Sequence, residues 1–324
     1  MTVETLELLR ANLLSPAVLA FALGIVATLV KSDLKIPDAL YTTLSIYLLL
    51  AIGLKGGAAL ATTPFSEVWK PALATLALSV LTPLLSYTTL RRLGCFDVVN
   101  AAAIAAHYGS VSAVTFIAAT TFMQAAKQPV EGFMPTLVAI LEVPAIVIAL
   151  LIARRSLGGG SLGEAVREIF AGKSVLLLVG GSVMGFLTGP EGLKQVAAVF
   201  VEPFRGVLVL FLLELGMIAA KRLRDLRSVG GFLIGFGIAM PLIQGSLGVW
   251  LGSLAGMSVG GAMVLGTMAA SASYIAAPAA VRIALPQANP SYYLTASLGI
   301  TFPFNLTLGI PIYYAISRWL HGGS

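Results

Sequence analysis

Two short serine motifs are the residues of this chain best suited to hold a small ion. Ser110 and Ser112 are separated by one residue, and so are Ser271 and Ser273, which lie 161 residues further along the chain. Both motifs fall in long stretches without a charged side chain. Serine disfavours helix interiors and favours helix N-caps, because its hydroxyl competes for backbone hydrogen-bonding groups. The pattern therefore predicts that each helix breaks at its motif and restarts there.

Two restarted helices would bring two helix N-termini to one point. Each N-terminus carries roughly half a positive charge, so the pair suits one monovalent anion held by N–H and hydroxyl donors. The alternative is that the four serines are small residues that allow close helix packing. We predict the anion site.

Ionisable residues inside apolar segments are the next candidates, because burying a charge in hydrocarbon is costly. Glu142 is a lone carboxylate that must find a cation, a proton or several donors, so it is expected to couple transport to a cation or to orient its helix. Glu214, Tyr274 and Asn305 are further candidates for cation coupling or for lining the site, against a packing role. Lys55 could pair with Glu214; otherwise it extends its ammonium to the membrane surface.

The composition identifies the environment in which these residues act. Only 10% of the 324 residues are charged, 58% are hydrophobic and the mean hydropathy is +0.95. A soluble fold needs far more polar surface, which excludes a soluble enzyme, a nucleic-acid-binding module and a disordered chain. The single cysteine and two histidines exclude a disulfide framework and make a Cys- or His-based metal centre improbable.

An all-α polytopic membrane protein is therefore predicted. A helix needs about 20 apolar residues to cross a bilayer. Of the twenty Lys and Arg residues, thirteen fall in cytoplasmic loops if both termini lie outside, which favours that orientation. The ten predicted spans are 13–31, 36–54, 70–90, 98–125, 132–153, 173–189, 199–220, 229–252, 259–282 and 291–317.

The two halves of the chain resemble each other. Gly53 aligns with Gly216, Pro83 with Pro241, Pro144 with Pro303 and the first serine motif with the second, at offsets of 158 to 163 residues. Five spans per half is an odd number, so the halves would insert with opposite orientations. The predicted domains are a first repeat at 1–155, a Gly-rich cytoplasmic connector at 156–172 with an amphipathic turn near Glu164 to Glu168, and a second repeat at 173–324. Inverted repeats are typical of secondary transporters, which bind substrate near the bilayer midplane.

Several long runs of the sequence resemble the SbtA-type sodium-dependent bicarbonate transporters. The runs are HYGSVSAVTFIAATTF (107–122), LEVPAIV (141–147), FRGVLVLFLLELGM (204–217) and SASYIAAPAAVRIALPQANPSYYLTASLGITFPFNLTLGIP (271–311). The resemblance implies two inverted five-span repeats, with spans 1, 2, 6 and 7 as a gate and spans 3–5 and 8–10 as a core. It also implies a homotrimer, an elevator-like movement, bicarbonate between core helices, and in cyanobacterial members a PII-like nucleotide-sensing protein on the cytoplasmic face.

Carried over residue by residue, the resemblance assigns the anion site to small and hydroxyl-bearing positions of both halves. Glu142 matches the acidic residue of the family's [DE]-[IV]-P motif. The chain departs from the cyanobacterial pattern at Tyr274 and Asn100, which stand where acidic residues are expected, and it lacks the long insertion between the halves. Glu142 or Glu214 would then supply the missing charge, or the coupling ion would be a proton. The assigned anion-binding residues are Gly109, Ser110, Ser112, Thr115, Ser271 and Ser273.

The predicted function is cation-coupled import of bicarbonate or a similar small monovalent anion, with Na+ or H+ as coupling ion and no other cofactor. Importing an anion against about 100 mV costs about 2.3 kcal/mol, and one co-transported cation removes that cost. The predicted location is a bacterial cytoplasmic (inner) membrane, with lipid and the anion, but no nucleic acid, as partners. The alternatives are a cation/proton antiporter or organic-anion symporter of similar fold, a receptor that binds an anion without moving it, and an intramembrane enzyme using Ser112 and His107.

Overall fold

A computed structural model describes residues 10–157, 171–223 and 226–322, together with the single residues 7 and 167. Within these residues all regular secondary structure is helical. The predicted connector, with its amphipathic turn near Glu164 to Glu168, lies outside the described residues apart from its ends and residue 167.

Thirteen helices follow one another along the described chain. The helix α13 contains two wide π-helical stretches, Thr295–Thr301 and Asn305–Gly309, and α7 and α10 are kinked at Gly189 and Gly230, whose φ values are 62° and 78°. The helices are α1 Pro16–Leu29, α2 Asp38–Leu60, α3 Phe65–Arg92, α4 Val98–Gly109, α5 Ala113–Ala125, α6 Met134–Leu157, α7 Lys173–Gln195, α8 Ala197–Phe200, α9 Phe204–Leu223, α10 Leu226–Leu254, α11 Val259–Ala269, α12 Ala277–Ala284 and α13 Pro290–Leu320.

Eight segments of the described chain are long and apolar enough to cross a membrane. Together they make the chain a multi-pass membrane protein. The two other predicted spans coincide with shorter apolar helices, α1 with 14 residues and α11 with 11. The segment predicted at 36–54 continues as helix to Leu60, because Lys55 lies over an aromatic ring and Gly56 and Gly57 pack closely against neighbouring chain.

The helix breaks predicted at both serine motifs are present. The helix α4 ends at Gly109 and α5 begins at Ala113, while α11 ends at Ala269 and α12 begins at Ala277. Each break lies inside a tightly packed group of helices: α4 packs against α3 and α6, and α11 packs against α10 and α13. Nearly every residue of α4 and α11 is buried, so the breaks lie deep inside the protein.

Glycine contacts join a second group of helices. The helix α2 packs against α7, and α1 packs against α9. A Cβ atom on Gly53 would lie 2.7 Å from the Leu178 carbonyl oxygen, and one on Gly181 would lie 3.0 Å from the Leu50 carbonyl oxygen. Gly24 and Gly216 approach each other in the same way between α1 and α9. Small residues allow such close backbone contact in membranes, where van der Waals packing drives helix association.

Replacing Gly181 by leucine is expected to separate α2 from α7. The new side chain would overlap the backbone of α2, and overpacking typically costs about 1–3 kcal/mol. The neighbouring Gly180 has no atom within 4 Å of an added Cβ, so Gly180→Leu is the matched control. We expect the midpoint of thermal unfolding in detergent to fall for Gly181→Leu and to stay close to wild type for Gly180→Leu. Equal midpoints for both variants would contradict the close α2–α7 contact.

Candidate functional site

The two non-helical segments, 110–112 and 270–276, lie against each other. The Ser112 amide donates a hydrogen bond to Ser271 Oγ at 2.8 Å, and the Ser273 amide donates to the His107 carbonyl oxygen at 2.8 Å. The second segment thus satisfies a backbone donor of the first, and the last turn of α4 satisfies a backbone donor of the second. All four serines of the two motifs are buried. The structure therefore brings the two motifs together.

A serine hydroxyl lies at the start of each restarted helix. Ser112 is the N-cap of α5, and its hydroxyl accepts a hydrogen bond from the Thr115 amide at 3.2 Å. The hydroxyl of Ser273 accepts from the Ala277 amide at 3.3 Å, at the first residue of α12. Accepting leaves each hydroxyl proton available to donate. The two helix starts therefore combine partial positive charge with hydroxyl donors.

Ser112 and Ser273 line one small buried cavity, together with Glu142, Ser174 and Tyr274. Its volume is about 10 Å³, which is close to the smallest cavity that holds one water molecule. A hydrated or multi-atom anion needs more room than this. The conformation seen here is therefore closed around the serines, and an anion would enter only after the walls move apart.

Unpaired polar atoms collect around this cavity. Two buried oxygen atoms of residues that line it, Glu142 Oε2 and Tyr274 OH, have no hydrogen-bond partner within the described chain. Ser110 Oγ and Thr115 Oγ1, close to Ser112 in sequence, are also buried without a partner. Buried polar groups are nearly always paired, so such a cluster indicates a place where a polar ligand binds. The described residues that line the cavity include no Lys or Arg. The carboxylate of Glu142 is thus buried among oxygen-bearing groups without a cationic side chain beside it.

The other residues assigned to the anion site have supporting positions. Ser271 Oγ donates to the Met268 carbonyl at 2.7 Å while accepting from Ser112, so it braces the crossing. A Cβ on Gly109 would lie 2.8 Å from the Pro83 side chain, so this glycine allows α4 to pack closely against α3.

Asn305 holds the second break in place. Its Nδ2 donates to the Ala270 carbonyl at 2.8 Å, and its Oδ1 accepts from the Tyr313 hydroxyl at 3.0 Å. Ala270 is the first residue after α11, so its carbonyl needs a partner once the helix ends. Both polar groups of Asn305 are engaged in this contact. In this conformation its position is therefore that of a brace for the second break.

Lys55 and Glu214 do not meet. The ammonium of Lys55 lies 3.7 Å from the ring centre of Phe204, at the start of α9. Glu214 is ten residues further along α9, about 15 Å along the helix axis, and it lines a separate cavity with Asp38 and Lys221. The proposed charge pair is thus not formed, because α2 and α9 run antiparallel and place the two residues at different levels.

Sequence reasoning missed two polar residues of this region. Ser174 lies at the start of α7 and lines the cavity with Glu142; its position beside a charged connector gave no sign of that role. Gln244 on α10 donates to the Thr82 carbonyl at 3.0 Å and to Ser86 Oγ at 2.8 Å. It is the one amide side chain in the uncharged stretch 228–281, and that isolation was a usable signal.

The nucleophile–base arrangement that an intramembrane enzyme would need is not formed. His107 Nδ1 pairs with the Ala103 carbonyl at 2.7 Å, and the His107 ring stacks on Tyr293. The hydroxyl of Ser112 is engaged with the Thr115 amide instead. The His107 side chain therefore packs within its own helix group, while its backbone carbonyl helps hold the crossing.

Comparison with known families gives one match. A family model described as the Na+-dependent bicarbonate transporter superfamily matches residues 16–318, which is nearly the whole chain. No curated protein matches the chain.

Removing the Asn305 side chain is expected to destabilise the second break. Asn305→Leu leaves the Ala270 carbonyl and the Tyr313 hydroxyl without their partner, at a cost of about 1–3 kcal/mol for each unsatisfied group. Tyr313→Phe removes only the hydroxyl that donates to Asn305, so it tests the same contact from its other side. We expect the thermal midpoint in detergent to fall in each single variant, and to fall in the double variant by less than the sum. Additive losses would show that the two side chains do not interact.

Proposed function

The chain belongs to the Na+-dependent bicarbonate transporter superfamily, and from that membership and the site's geometry we propose that it imports bicarbonate together with Na+. The observation that carries the proposal is the pair of helix starts, at each of which a serine hydroxyl, of Ser112 or Ser273, accepts from a backbone amide and lines one cavity with the Glu142 carboxylate. Membership of a transporter family argues against the enzyme alternative.

Anion binding follows from the donors at the two helix starts. The hydroxyls of Ser112 and Ser273 donate to the anion, and the first amides of α5, at Ala113 and Val114, have no acceptor within their own helix. Two helix N-termini supply roughly one positive charge in total, matched to one bicarbonate. The site therefore needs no cationic side chain in addition to the helix termini.

The Glu142 carboxylate provides for the cation. A lone carboxylate in this setting requires a positive partner, and hydroxyl and carboxylate oxygens are suitable ligands for a hard cation. Ser174 and Tyr274 bring two further oxygen atoms to the same cavity. Na+ bound here neutralises the Glu142 carboxylate and so removes its repulsion of the anion. One Na+ and one bicarbonate then cross as a neutral pair. In this scheme Tyr274 takes a ligand position and Glu142 carries the charge.

Ten crossings in two inverted repeats account best for the packing. The N-caps Asp97 and Ser258 lie 161 residues apart, the same offset as the serine motifs, and each accepts a hydrogen bond from the amide three residues later. In the repeat, α1 and α2 of the first half correspond to α7 and α9 of the second. The α1–α9 contact therefore corresponds to the α2–α7 contact, as an internal repeat requires. The glycine contacts between α2 and α7 advance together along both helices, so these helices are parallel, as the even-numbered second and sixth crossings must be.

Two helix groups support an elevator-like movement. The helices α1, α2, α7 and α9 form the gate, and α3 to α6 with α10 to α13 form the core that holds the crossing. Because hydrogen bonds join the two breaks, the core moves the ions as one body against the gate. We place both termini outside a bacterial cytoplasmic membrane and expect a homotrimer. A PII-like protein binding the cytoplasmic face is also part of the proposal, and cross-linking and co-purification test these two associations.

Uptake into proteoliposomes tests the function directly. We expect labelled bicarbonate to accumulate under an inward Na+ gradient at alkaline pH, where little CO2 crosses the lipid, and not after an ionophore dissipates that gradient. Ser112→Ala and Ser273→Ala should each raise KM by roughly tenfold or more, because each removes a hydrogen bond to a charged group. Ser79→Ala is the matched control, since Ser79 is buried on α3 and donates only within its own helix.

No Na+-driven uptake by the wild-type protein would refute the proposed function. Wild-type kinetics in both serine variants, with uptake intact, would refute the paired helix starts as the anion site while leaving transport standing.

Substituting Glu142 by glutamine tests the cation site. The neutral amide cannot balance a cation, so we expect the Na+-dependent part of uptake to be lost while the protein still folds and inserts. Glu191→Gln is the control, because Glu191 is exposed and pairs only with Lys194. Initial rates are measured against Na+ concentration at several pH values. A Na+ response equal to that of wild type would contradict the role of Glu142, and a response to pH in place of Na+ in the wild type would assign H+ as the coupling ion.

A further inference from the structure

A second cavity, much larger than the first, lies between the gate and the core. Its volume is about 510 Å³, within the range of ligand-binding pockets. Two cationic side chains line it, Lys55 at the end of α2 and Arg205 at the start of α9. We propose that Lys55 and Arg205 form an anion-capture site that collects bicarbonate before it reaches the serine crossing. This capture site rests on the proposed function and extends it.

The two cationic side chains of this cavity have no carboxylate partner among the described residues. Lys55 lies over the Phe204 ring at 3.7 Å, and an aromatic face attracts an ammonium without neutralising it. Arg205 donates to the uncharged Gln124 Oε1 at 2.5 Å. Among the described residues, neither is within salt-bridge distance of a carboxylate. Neither side chain is therefore paired with a carboxylate, and both remain able to bind an anion in the cavity.

Glu131 is the one acidic side chain among the described residues that line this cavity, and it is engaged elsewhere. Its Oε1 accepts from the Ser258 amide at 2.6 Å, and its Oε2 accepts from Ser258 Oγ at 3.2 Å. The carboxylate thus holds the start of α11. Two cations against one carboxylate leave the cavity with a net charge of +1, which favours an anion from solution.

The cavity is directed at the serine crossing. Phe116 and Ile117 on α5 form part of its wall, and Ser112 caps the same helix four residues before Phe116. Four residues are about 6 Å along a helix axis. In the proposed orientation the end of α2 and the start of α9 lie on the outer face, so the cavity opens outward. Arg205 bonds Gln124, twelve residues after Ser112 on the same helix, so an anion held by Lys55 and Arg205 lies about 18 Å from Ser112 along the α5 axis. The cavity wall at Phe116 comes within about one helical turn of Ser112.

Kinetics and ionic strength provide the first test. We expect Lys55→Gln and Arg205→Gln together to raise KM for bicarbonate about tenfold with little change in maximal rate, because capture precedes translocation. The wild-type KM should rise with ionic strength, and this dependence should be weaker in the double variant. Lys70→Gln is the control: Lys70 is also a lysine near an aromatic ring, Trp69, but it is exposed and does not line the cavity. A wild-type KM in the double variant would overturn the capture site.

A second measurement does not depend on transport. In a Cys95→Ser background, Thr120→Cys places a thiol on the cavity wall. Membrane-impermeant anionic and cationic thiol reagents of similar size are applied from the outer face. We expect the anionic reagent to be favoured, and the ratio of rates to fall about tenfold when both cations become glutamine. An unchanged ratio would overturn the capture site even if transport is confirmed. A changed ratio without bicarbonate uptake would keep an anion-binding cavity and refute the proposed function alone.

Discussion

Hydrocarbon around a membrane protein supplies no hydrogen bonds, so every interruption of a buried helix must be satisfied by the protein itself. This constraint determines the centre of the structure. The two breaks face each other because each supplies what the other lacks: the amide of Ser112 binds Ser271, and the amide of Ser273 binds the His107 carbonyl. On α13, Asn305 donates to the Ala270 carbonyl, which has no partner within α11, and Tyr313 in turn donates to Asn305. Once these bonds are made, the atoms left over are those that can serve a ligand.

The same bonds divide the helices into two groups with different contacts. The helices proposed as the core are joined through buried polar bonds around the crossing, whereas α2 and α7, proposed as part of the gate, are joined by close glycine contacts. Polar bonds and small-residue packing both resist separation within a group. The boundary between the groups carries the cavities, including the small one that contains Glu142 and the large one lined by Lys55. In the proposed mechanism the ions therefore bind at the boundary along which the two helix groups move.

The sequence predicts the local features of this site better than its long-range contacts. Ser112 as a cap follows from the intrinsic behaviour of serine, and the positions of both breaks could be predicted for the same reason. The pairing of Lys55 with Glu214 was inferred from the alignment of the two halves, which carries no information on the depth of either side chain. Ser174 and Asn305 depend on which helix packs against which, and a single sequence does not encode that directly. Gln244 was visible as an isolated amide in an apolar stretch.

One of the two bonds at the crossing joins main chain to main chain, from the Ser273 amide to the His107 carbonyl. Any residue at these two positions can make it, apart from a proline at 273, which lacks the N–H group. The side chains at the crossing can therefore change during evolution while this backbone hydrogen bond is kept. A protein built this way can change its ion selectivity by replacing a few hydroxyl and carboxylate side chains, while its fold is retained.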